Sequence, residues 1–355
     1  MSSSPRPPAA PPRLGPGRPS LWAVCATSHP GGAEIGLLRL LGRLDWEVLL
    51  STPGPGPLAE AGFPWAPLPL GGLARGAGAR AVASWPRARR LARGRDVIYL
   101  NGTVCGRLLP AMRGHRTVLH VHDMVDRVPA IWRAADVVLA DSQAVADRLH
   151  GLGAHVVYCP IELDPPHAPP PWPPGPGPVI AFVGRIEPRK GPLDLIAAVP
   201  AIRAGAPGAR VMIVGSDPFD SDPGYVGAVR AAGEVEHYGW TVDAPALMRH
   251  VDVLVAPSHQ EPFGTVLAEA MAVGTPVVAT RVGGLAEVVE DGVTGRLVDP
   301  GRPDQLAGAV LDVLARRQAM GAAARRSARR FDADAYAARV ERLIAPPGAR
   351  WTGPA

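Results

Sequence analysis

Two short segments hold most of the residues whose types and spacing could do chemistry. The first runs from Gly184 to Gly191, follows an apolar stretch, and carries Arg185 and Lys190. Lys190 is the only lysine in a chain with 36 arginines, and its compact ammonium suits a tight anion pocket better than a planar guanidinium does. Since Pro192 is a typical first helical residue, these cations lie at a helix entry, which indicates a phosphate-binding loop.

The second segment runs from Glu261 through Gly264 and Thr265 to Glu269. A helix that begins at Gly264 and Thr265 would offer free N–H groups and the positive end of its dipole to an anion. Glu269 follows Thr265 by four residues and shares its helix face. Both acids could be plain surface residues, but Glu269 lies within the otherwise apolar run 266–273, and a buried acid needs a partner. We therefore favour carboxylates that accept hydrogen bonds from ribose or sugar hydroxyls.

The first half of the chain contains weaker candidates. Gly31 and Gly32 follow a predicted strand and permit close backbone approach to a ligand, although many ordinary turns look the same. His120 and His122 share one face of another strand, where a hydrogen-bonded core role and a cleft role are equally compatible with the pattern. A metal site would need a third ligand at suitable spacing, and the sequence shows none, so no metal is predicted. Asn101 ends the neighbouring strand and could line the same cleft.

Short apolar runs alternate with helical stretches along both halves, which predicts an α/β protein with parallel sheets covered on both faces. One such stretch is an amphipathic helix predicted over 82–91. We expect a disordered proline-rich arm at 1–19, an N-terminal acceptor-side domain at 20–164, a proline-rich linker at 165–178, a C-terminal nucleotide-binding domain at 179–330 and a helix crossing back at 331–345. Two such halves would bind a ligand in the cleft between them, at the carboxyl ends of the strands.

Composition narrows the class of protein. A chain of 355 residues with 47% apolar residues suggests about two globular domains. The first 19 residues have no apolar run of the kind that a secretory signal needs, and no stretch is long enough to predict a spanning helix. The cysteines are three in number and scattered, which favours a reducing cytoplasm over a disulfide framework.

The positive charge of the chain is concentrated in one region. Residues 1–170 carry a net charge of +6 and residues 171–355 a net charge of −1. The segment from Arg75 to Arg116 contains ten arginines and a single acidic residue, Asp96. This can be a solvated helix face. It also fits a surface for anionic lipid headgroups or an acidic acceptor, and hence a protein that contacts the cytoplasmic face of a membrane. Nucleic acid is disfavoured because few aromatic residues lie among the arginines.

Together these segments resemble the family 4 retaining glycosyltransferases of GT-B fold. The resemblance is carried by Gly184-Arg185 with Lys190-Gly191, by the segment from Glu261 to Glu269, by Gly274-Thr-Pro-Val-Val-Ala-Thr, and by Gly283-Gly284. Looser matches in the first half are Gly31-Gly32-Ala33-Glu34, His122-Asp123 and Asp141-Ser142. The resemblance implies two Rossmann-like domains with parallel sheets facing a central cleft. It implies a UDP- or GDP-sugar as donor, an unidentified acceptor and no cofactor.

The resemblance also implies roles for the matched positions. Arg185 and Lys190 would hold the donor diphosphate and stabilise its charge without a metal. Glu261 would bind hydroxyls of the donor sugar, and His122 would touch the sugar. The other donor-binding positions would be Gly31, Gly32, Gly184, Phe263, Gly264, Thr265 and Glu269. Transfer with retention would need no protein nucleophile.

Two other classes of protein remain alternatives. Sugar-nucleotide 2-epimerases share the fold, but they would show further catalytic acids in the N-terminal domain. A nucleotide-sugar-binding protein without catalysis is the second alternative, since the N-terminal match is loose. The chain also departs from the family between Trp46 and Asp96, which is short and rich in proline, glycine and arginine. That departure bears on acceptor recognition more than on donor binding.

Overall fold

The computed structural model describes residues 18–72, 76–166, 168–170, 172–217, 222–239 and 244–346. The arm predicted at 1–19 lies outside these residues except for its last two positions. The chain divides into two compact units. Among the described residues, the first unit comprises those up to Asp141, Val145–Val157 and those from Asp334, and the second comprises Ser142–Ala144 and those within Tyr158–Ala333.

The first unit is built on a six-stranded parallel sheet with strand order β2-β1-β3-β4-β5-β6. Its strands are continuous apolar runs, and nearly every position is buried because helices cover both faces. The strands are β1 Ser20–Cys25, β2 Glu47–Ser51, β3 Val97–Asn101, β4 Arg116–Val121, β5 Val137–Ala140 and β6 His155–Val156.

Four α-helices accompany this sheet: α1 Gly32–Leu41, α2 Ala77–Ala92, α3 Gln143–Arg148 and α11 Ala333–Ile344, with 3₁₀ turns at Cys105–Ala111 and Ala130–Ala134. Helix α11, the last helix of the described residues, packs Tyr336, Val340 and Ile344 into the core beside β1 and β2. Its C-terminal carbonyls accept hydrogen bonds from the Arg116 guanidinium, at 2.9 Å for Ile344 and 3.0 Å for Leu343. These bonds satisfy carbonyls that have no partner within the helix.

The second unit holds another six-stranded parallel sheet, in the order β12-β11-β10-β7-β8-β9. Its strands are β7 Val179–Val183, β8 Arg210–Val214, β9 Glu236–Tyr238, β10 Val253–Ala256, β11 Val277–Thr280 and β12 Gly295–Val298. Its α-helices are α4 Pro192–Gly205, α5 Pro223–Arg230, α6 Ala244–Met248, α7 Thr265–Ala272, α8 Leu285–Val288, α9 Pro303–Ala315 and α10 Arg317–Ala328, with 3₁₀ turns at Pro188–Lys190 and Arg329–Phe331. The predicted α/β class with two parallel sheets is confirmed.

The segment predicted as a linker, 165–178, packs on the second unit at its described positions. Trp172 is buried and lies edge-on to the ring of Tyr238. Backbone carbonyls of the segment accept hydrogen bonds from Arg210 and His250, at Pro173 and Ala168 respectively. The proline-rich chain is therefore anchored by one aromatic side chain and by its own carbonyls. None of the described helices is long and apolar enough to cross a membrane.

Candidate functional site

The cation-bearing loop of the second unit connects β7 to α4. It turns through the 3₁₀ segment Pro188–Lys190 and enters α4 at Pro192, the helix start that the sequence predicted. Gly191 has φ 67°, and a Cβ atom there would lie 2.1 Å from the carbonyl oxygen of Pro257. Only glycine fits this approach, so Gly191 fixes the loop against the segment that follows β10.

The two motifs of the second unit meet at Lys190 and Glu261. The Lys190 ammonium contacts the Glu261 carboxylate, although 71 residues separate them in sequence. Their side chains are 18% and 10% exposed, so the pair is largely buried but open at one side. The structure thus places a compact cation beside a carboxylate, next to the start of α7.

A second ion-pair group surrounds Glu187 in the same loop. Its Oε1 lies 3.3 Å from Arg185 Nη2 and 2.9 Å from Arg189 Nε. The two arginine side chains are about one-third exposed, so an incoming anion can reach them. Sequence reasoning missed Glu187, because an acid inside a cationic loop gives no separate signal of its own.

The backbone around Glu261 is fixed by paired glycines after β11. Gly283 has φ 46°, and its Cβ would lie 2.1 Å from the Glu261 carbonyl oxygen, which also accepts a hydrogen bond of 3.0 Å from Gly284 N–H. Such contact holds the Glu261 main chain, and α7 then begins at Thr265, the position that the sequence predicted. The half-buried Glu269 is on the same helix.

Phe263 does not present its ring to a ligand. The side chain is 2% exposed and lies in the core, stacked on Tyr158 and edge-on to Phe331. Of the predicted donor-binding roles for this residue, only contacts through the backbone fit this placement. Because the ring is packed against two other aromatic rings, it contributes to the core and is not available to a ligand.

In the first unit, Gly31 and Gly32 stand at the start of α1. Gly32 is the first helical residue, and the Gly31 N–H donates to the Glu34 carboxylate at 2.9 Å. Glu34 therefore satisfies one backbone donor at the helix entry. The close backbone approach to a ligand that the sequence predicts for these glycines stays a prediction.

Three strands of the first unit bring polar side chains together at their carboxyl ends. Asn101 ends β3, His120 and His122 lie at the end of β4, and Asp141 follows β5. Asp141 lies between the two imidazoles: its Oδ2 is 2.8 Å from His122 Nδ1, and its Oδ1 is 2.8 Å from His120 Nε2. The second contact is off-line for a hydrogen bond. Both histidines thus belong to a buried polar cluster at the carboxyl ends of the strands, the edge at which open α/β sheets bind ligands.

The outer nitrogens of the two imidazoles also have polar neighbours. Tyr99 Oη lies 2.7 Å from His120 Nδ1, and Asn101 Oδ1 lies 2.9 Å from His122 Nε2. Burial and, after it, the neighbouring His122 lower the pKa of His120 to about 4, although Asp141 acts in the opposite direction. His120 is therefore an uncharged imidazole at neutral pH, with Nδ1 beside the Tyr99 hydroxyl and Nε2 beside Asp141.

The charge of His122 is set by the surrounding acids. Burial alone would lower the pKa of His122, but Asp141, followed by Glu34 and Asp123, raises it above the usual value. Conversely, burial would raise the pKa of Asp141, whereas His122 and His120 hold it well below its usual range. We therefore expect Asp141 to be an ionised carboxylate that accepts a hydrogen bond from the Nδ1–H of His122.

His120, His122 and Asp141 form a group of three side chains of the types that ligate metal ions. The sequence predicted no third ligand for the two histidines, and this expectation was wrong, since Asp141 supplies one and the three ligand atoms lie within 4.8 Å of one another. Zinc ligands at about 2.0–2.2 Å in a tetrahedron would lie roughly 3.3 Å apart. The nitrogen–oxygen separations of 2.8 Å are shorter than this, and the one between His122 and Asp141 is a hydrogen bond, so the donor set does not fit an ion as it stands.

Solved structures with the same architecture define the class of fold. HepE from Anabaena, in complex with UDP and glucose, is 23% identical, with a TM-score of 0.77 over 92% of this chain and 99% of that one. A glycosyltransferase from Rickettsia africae is 16% identical, with a TM-score of 0.76 over 92% and 98%. The chain therefore has the GT-B fold of two-domain glycosyltransferases.

The family follows from sequence comparison. Residues 177–316 match the family model described as "Glycosyl transferases group 1". A D-inositol 3-phosphate glycosyltransferase from Segniliparus rotundus is 40% identical over 169 residues, which are 45% of this chain and 38% of the relative. A glycogen synthase from Mycobacterium tuberculosis is 37% identical over 162 residues, 44% and 38% of the two chains. The matches thus span about two-fifths of these relatives. The predicted resemblance to glycosyltransferases is confirmed, and residues 177–316 are the part of the chain that matches the family model.

Proposed function

We propose that the chain is a retaining glycosyltransferase that moves a sugar from a nucleotide-diphosphate sugar to an acceptor. The observation that carries the proposal is the contact between Lys190 and Glu261, because it joins the phosphate-binding loop and the sugar-binding acid in one half-buried place.

The proposed chemistry is electrostatic. When the bond to the anomeric carbon breaks, negative charge grows on the diphosphate, and Arg185 and Lys190 neutralise it. The free N–H groups at the start of α7, near Gly264 and Thr265, add to this stabilisation. Glu261 accepts hydrogen bonds from sugar hydroxyls, and Glu269 from the ribose. With two cations in place we expect no metal ion to be required.

Retention follows from departure and attack on the same face of the sugar. A phosphate oxygen of the leaving nucleotide takes the proton of the acceptor hydroxyl, so no side chain has to act as nucleophile. His122 contacts the sugar in this proposal, and Gly31 and Gly32 permit close backbone approach to the donor.

The donor is a UDP- or GDP-sugar in this proposal. The complexes of HepE with UDP-glucose favour UDP as the first base to test. The names of the two relatives indicate different acceptors, an inositol phosphate and a glycogen chain. The arginine excess of the first half favours an anionic acceptor, either a soluble phosphate or a lipid-linked one, and a cytoplasmic enzyme that contacts the membrane through arginines of the Arg75–Arg116 region. Arg75 itself lies outside the described residues.

The test is nucleotide release from labelled UDP- and GDP-sugars, with D-inositol 3-phosphate and glycogen as acceptors, in buffer with and without EDTA. We expect acceptor-dependent release that EDTA does not reduce, and a product whose anomeric configuration by NMR equals that of the donor. Inverted product would contradict retention, and loss of activity in EDTA would contradict metal independence. Epimerised nucleotide sugar would establish the 2-epimerase alternative, and binding without turnover the non-catalytic one.

A further inference from the structure

The buried polar cluster around His120, His122 and Asp141 contains more polar groups than contact with a sugar requires. His122 is the only member with a proposed role in transfer, yet it is one link of a chain that runs Tyr99–His120–Asp141–His122–Asn101. The polar atoms that join each side chain to the next are 2.7–2.9 Å apart. Buried polar groups of this kind cost free energy unless each is satisfied, so the arrangement calls for an explanation.

We infer that Asp141 is the positioning residue for His122: it accepts the Nδ1 proton and thereby fixes both the ring orientation and the nitrogen that faces the ligand side. This inference rests on the proposed function, in which His122 touches the donor sugar. His120 Nε2 lies 2.8 Å from the other oxygen of the Asp141 carboxylate, and the Tyr99 hydroxyl lies behind His120 at Nδ1.

The protonated nitrogen of His122 is the same for either orientation of the Asn101 amide. With Asn101 Oδ1 towards His122, both ring nitrogens face oxygens and the ring is an imidazolium. With the amide reversed, Asn101 Nδ2 donates to Nε2 and the ring is neutral; Nδ2 has no partner in the orientation shown, although it is buried. In both cases Nδ1–H donates to Asp141, so the inference does not depend on the amide assignment.

The groups that face His122 come from four elements. Asp141 follows β5, Glu34 is in α1, Asp123 follows β4, and Asn101 ends β3, with His120 on its own strand. Asp141 is the only one of these acids that hydrogen-bonds the ring. The direction in which the ring points is therefore determined by Asp141, while the more distant carboxylates act through charge alone.

The test uses the full chain labelled with ¹⁵N-histidine, in which NMR reports the tautomer and titration of each ring. In the wild type we expect His122 to keep a slowly exchanging Nδ1 proton. In Asp141→Asn this proton should exchange faster, and the His122 pKa should fall by about one unit or more because the opposite charge is lost. The wild-type spectrum alone tests the inference if the variant does not fold.

Asp136→Asn is the matched control. Asp136 is a partly buried carboxylate that accepts from the backbone and hydroxyl of Thr117 at the opposite end of β4. Its loss removes a structural acid of the same unit and should leave the His122 signals unchanged. An Nε2-protonated His122, or an unchanged pKa in Asp141→Asn, would overturn the inference. So would stoichiometric binding of added Zn²⁺ that shifts the signals of both histidines.

An activity assay provides a second, independent test of the positioning role of Asp141. In a donor-turnover assay, Asp141→Asn should lower kcat/KM by about 10-fold or more, as misplacement of a contact group does. Adding it to His122→Gln should cause little further loss, because both changes remove the same interaction. Additive losses would overturn the positioning role. If no transfer is found at all, the proposed function fails, while the NMR result still decides whether Asp141 sets the His122 proton.

Discussion

Lys190 and Glu261 are in contact, and this pair joins the two halves of the candidate donor site within the second unit. The Glu261 carboxylate holds the Lys190 ammonium in a fixed position. Glu187 does the same for Arg185 and Arg189. A bound diphosphate would therefore meet cations that are already in position, which reduces the reorganisation needed during the reaction.

Removal of the Lys190 charge should mainly affect turnover. Lys190→Ala is expected to lower kcat about 100-fold or more, on the scale of losing one charge-stabilising donor, measured by nucleotide release. Lys190→Arg should recover only part of this activity, because the wide guanidinium cannot reproduce a point charge beside Glu261.

Arg189→Ala is the matched control for this experiment. It removes one positive charge from the same loop, next to Lys190, but from a side chain that pairs with Glu187. We expect a much smaller loss of kcat. If Arg189→Ala and Lys190→Ala were equally impaired, general positive charge rather than Lys190 would be responsible.

The loop that carries Lys190 depends on Gly191. Gly191→Ala would place a Cβ 2.1 Å from the Pro257 carbonyl oxygen at φ 67°, so the backbone must move and Lys190 with it. We expect weaker nucleotide binding by calorimetry, by about 10-fold or more. Gly292→Ala is the control: φ is 79° there, but no atom lies within 4 Å of the added carbon. It should cost about 1 kcal/mol of stability from backbone strain and leave binding intact. Equal binding losses in both variants would argue against a role for the clash.

Much of the fold was predictable from the sequence because it depends on local apolar runs. The strands β1 and β7 and the helix starts at Pro192 and Thr265 stand where the sequence placed them. The helix predicted over 82–91 begins five residues earlier, at Ala77. Its early turns are rich in glycine and alanine and carry no clear apolar periodicity, so a pattern-based argument does not detect them.

The site was predictable only in part. Lys190, Glu261 and His122 could be named from motifs, but the role of Asp141 could not. It follows a different strand from the histidines, and only the parallel order β3-β4-β5 brings the strand ends together. Phe263 shows the opposite error, since a residue inside a binding motif has its side chain in the core. Sequence spacing does not say which side of a loop a ring faces.

The C-terminal end of helix α11 should contribute to stability through Arg116. Arg116→Ala removes two hydrogen bonds to the last carbonyls of the helix, and we expect a loss of about 1–2 kcal/mol in the free energy of unfolding, measured by denaturant titration. Arg113→Ala removes an exposed arginine of the same loop and should change stability little. A similar loss in both variants would show that net charge, rather than the helix end, is responsible.

Binding to anionic membranes should depend on exposed arginines of helix α2. Vesicles that contain phosphatidylglycerol should bind the protein at low salt and release it at high salt, because exposed charges are screened. Replacing both Arg89 and Arg90, which are exposed, by alanine should weaken binding. Replacing the equally exposed pair Arg325 and Arg326 of α10 should not. Salt-independent binding, or equal loss in both variants, would remove the proposed membrane contact.

The buried His120 should make stability depend on pH in a defined direction. Its folded-state pKa of about 4 lies below the usual value of about 6.5, so on acidification the unfolded chain takes up this proton first. Stability should therefore fall as the pH drops from about 6.5 to 4. His122 acts in the opposite sense: because its pKa is raised, its contribution to the free energy of unfolding is complete below about pH 6.5 and is lost as the pH rises through its folded-state pKa.

Denaturant titrations of His120→Gln should show a shallower dependence of the free energy of unfolding on pH between about pH 6.5 and 4 than the wild type. His155→Gln, at an exposed position of the same unit, should keep the wild-type slope. An unchanged slope in His120→Gln would mean that the imidazole is protonated at the same pH in both states, and hence that Asp141 rather than burial controls it.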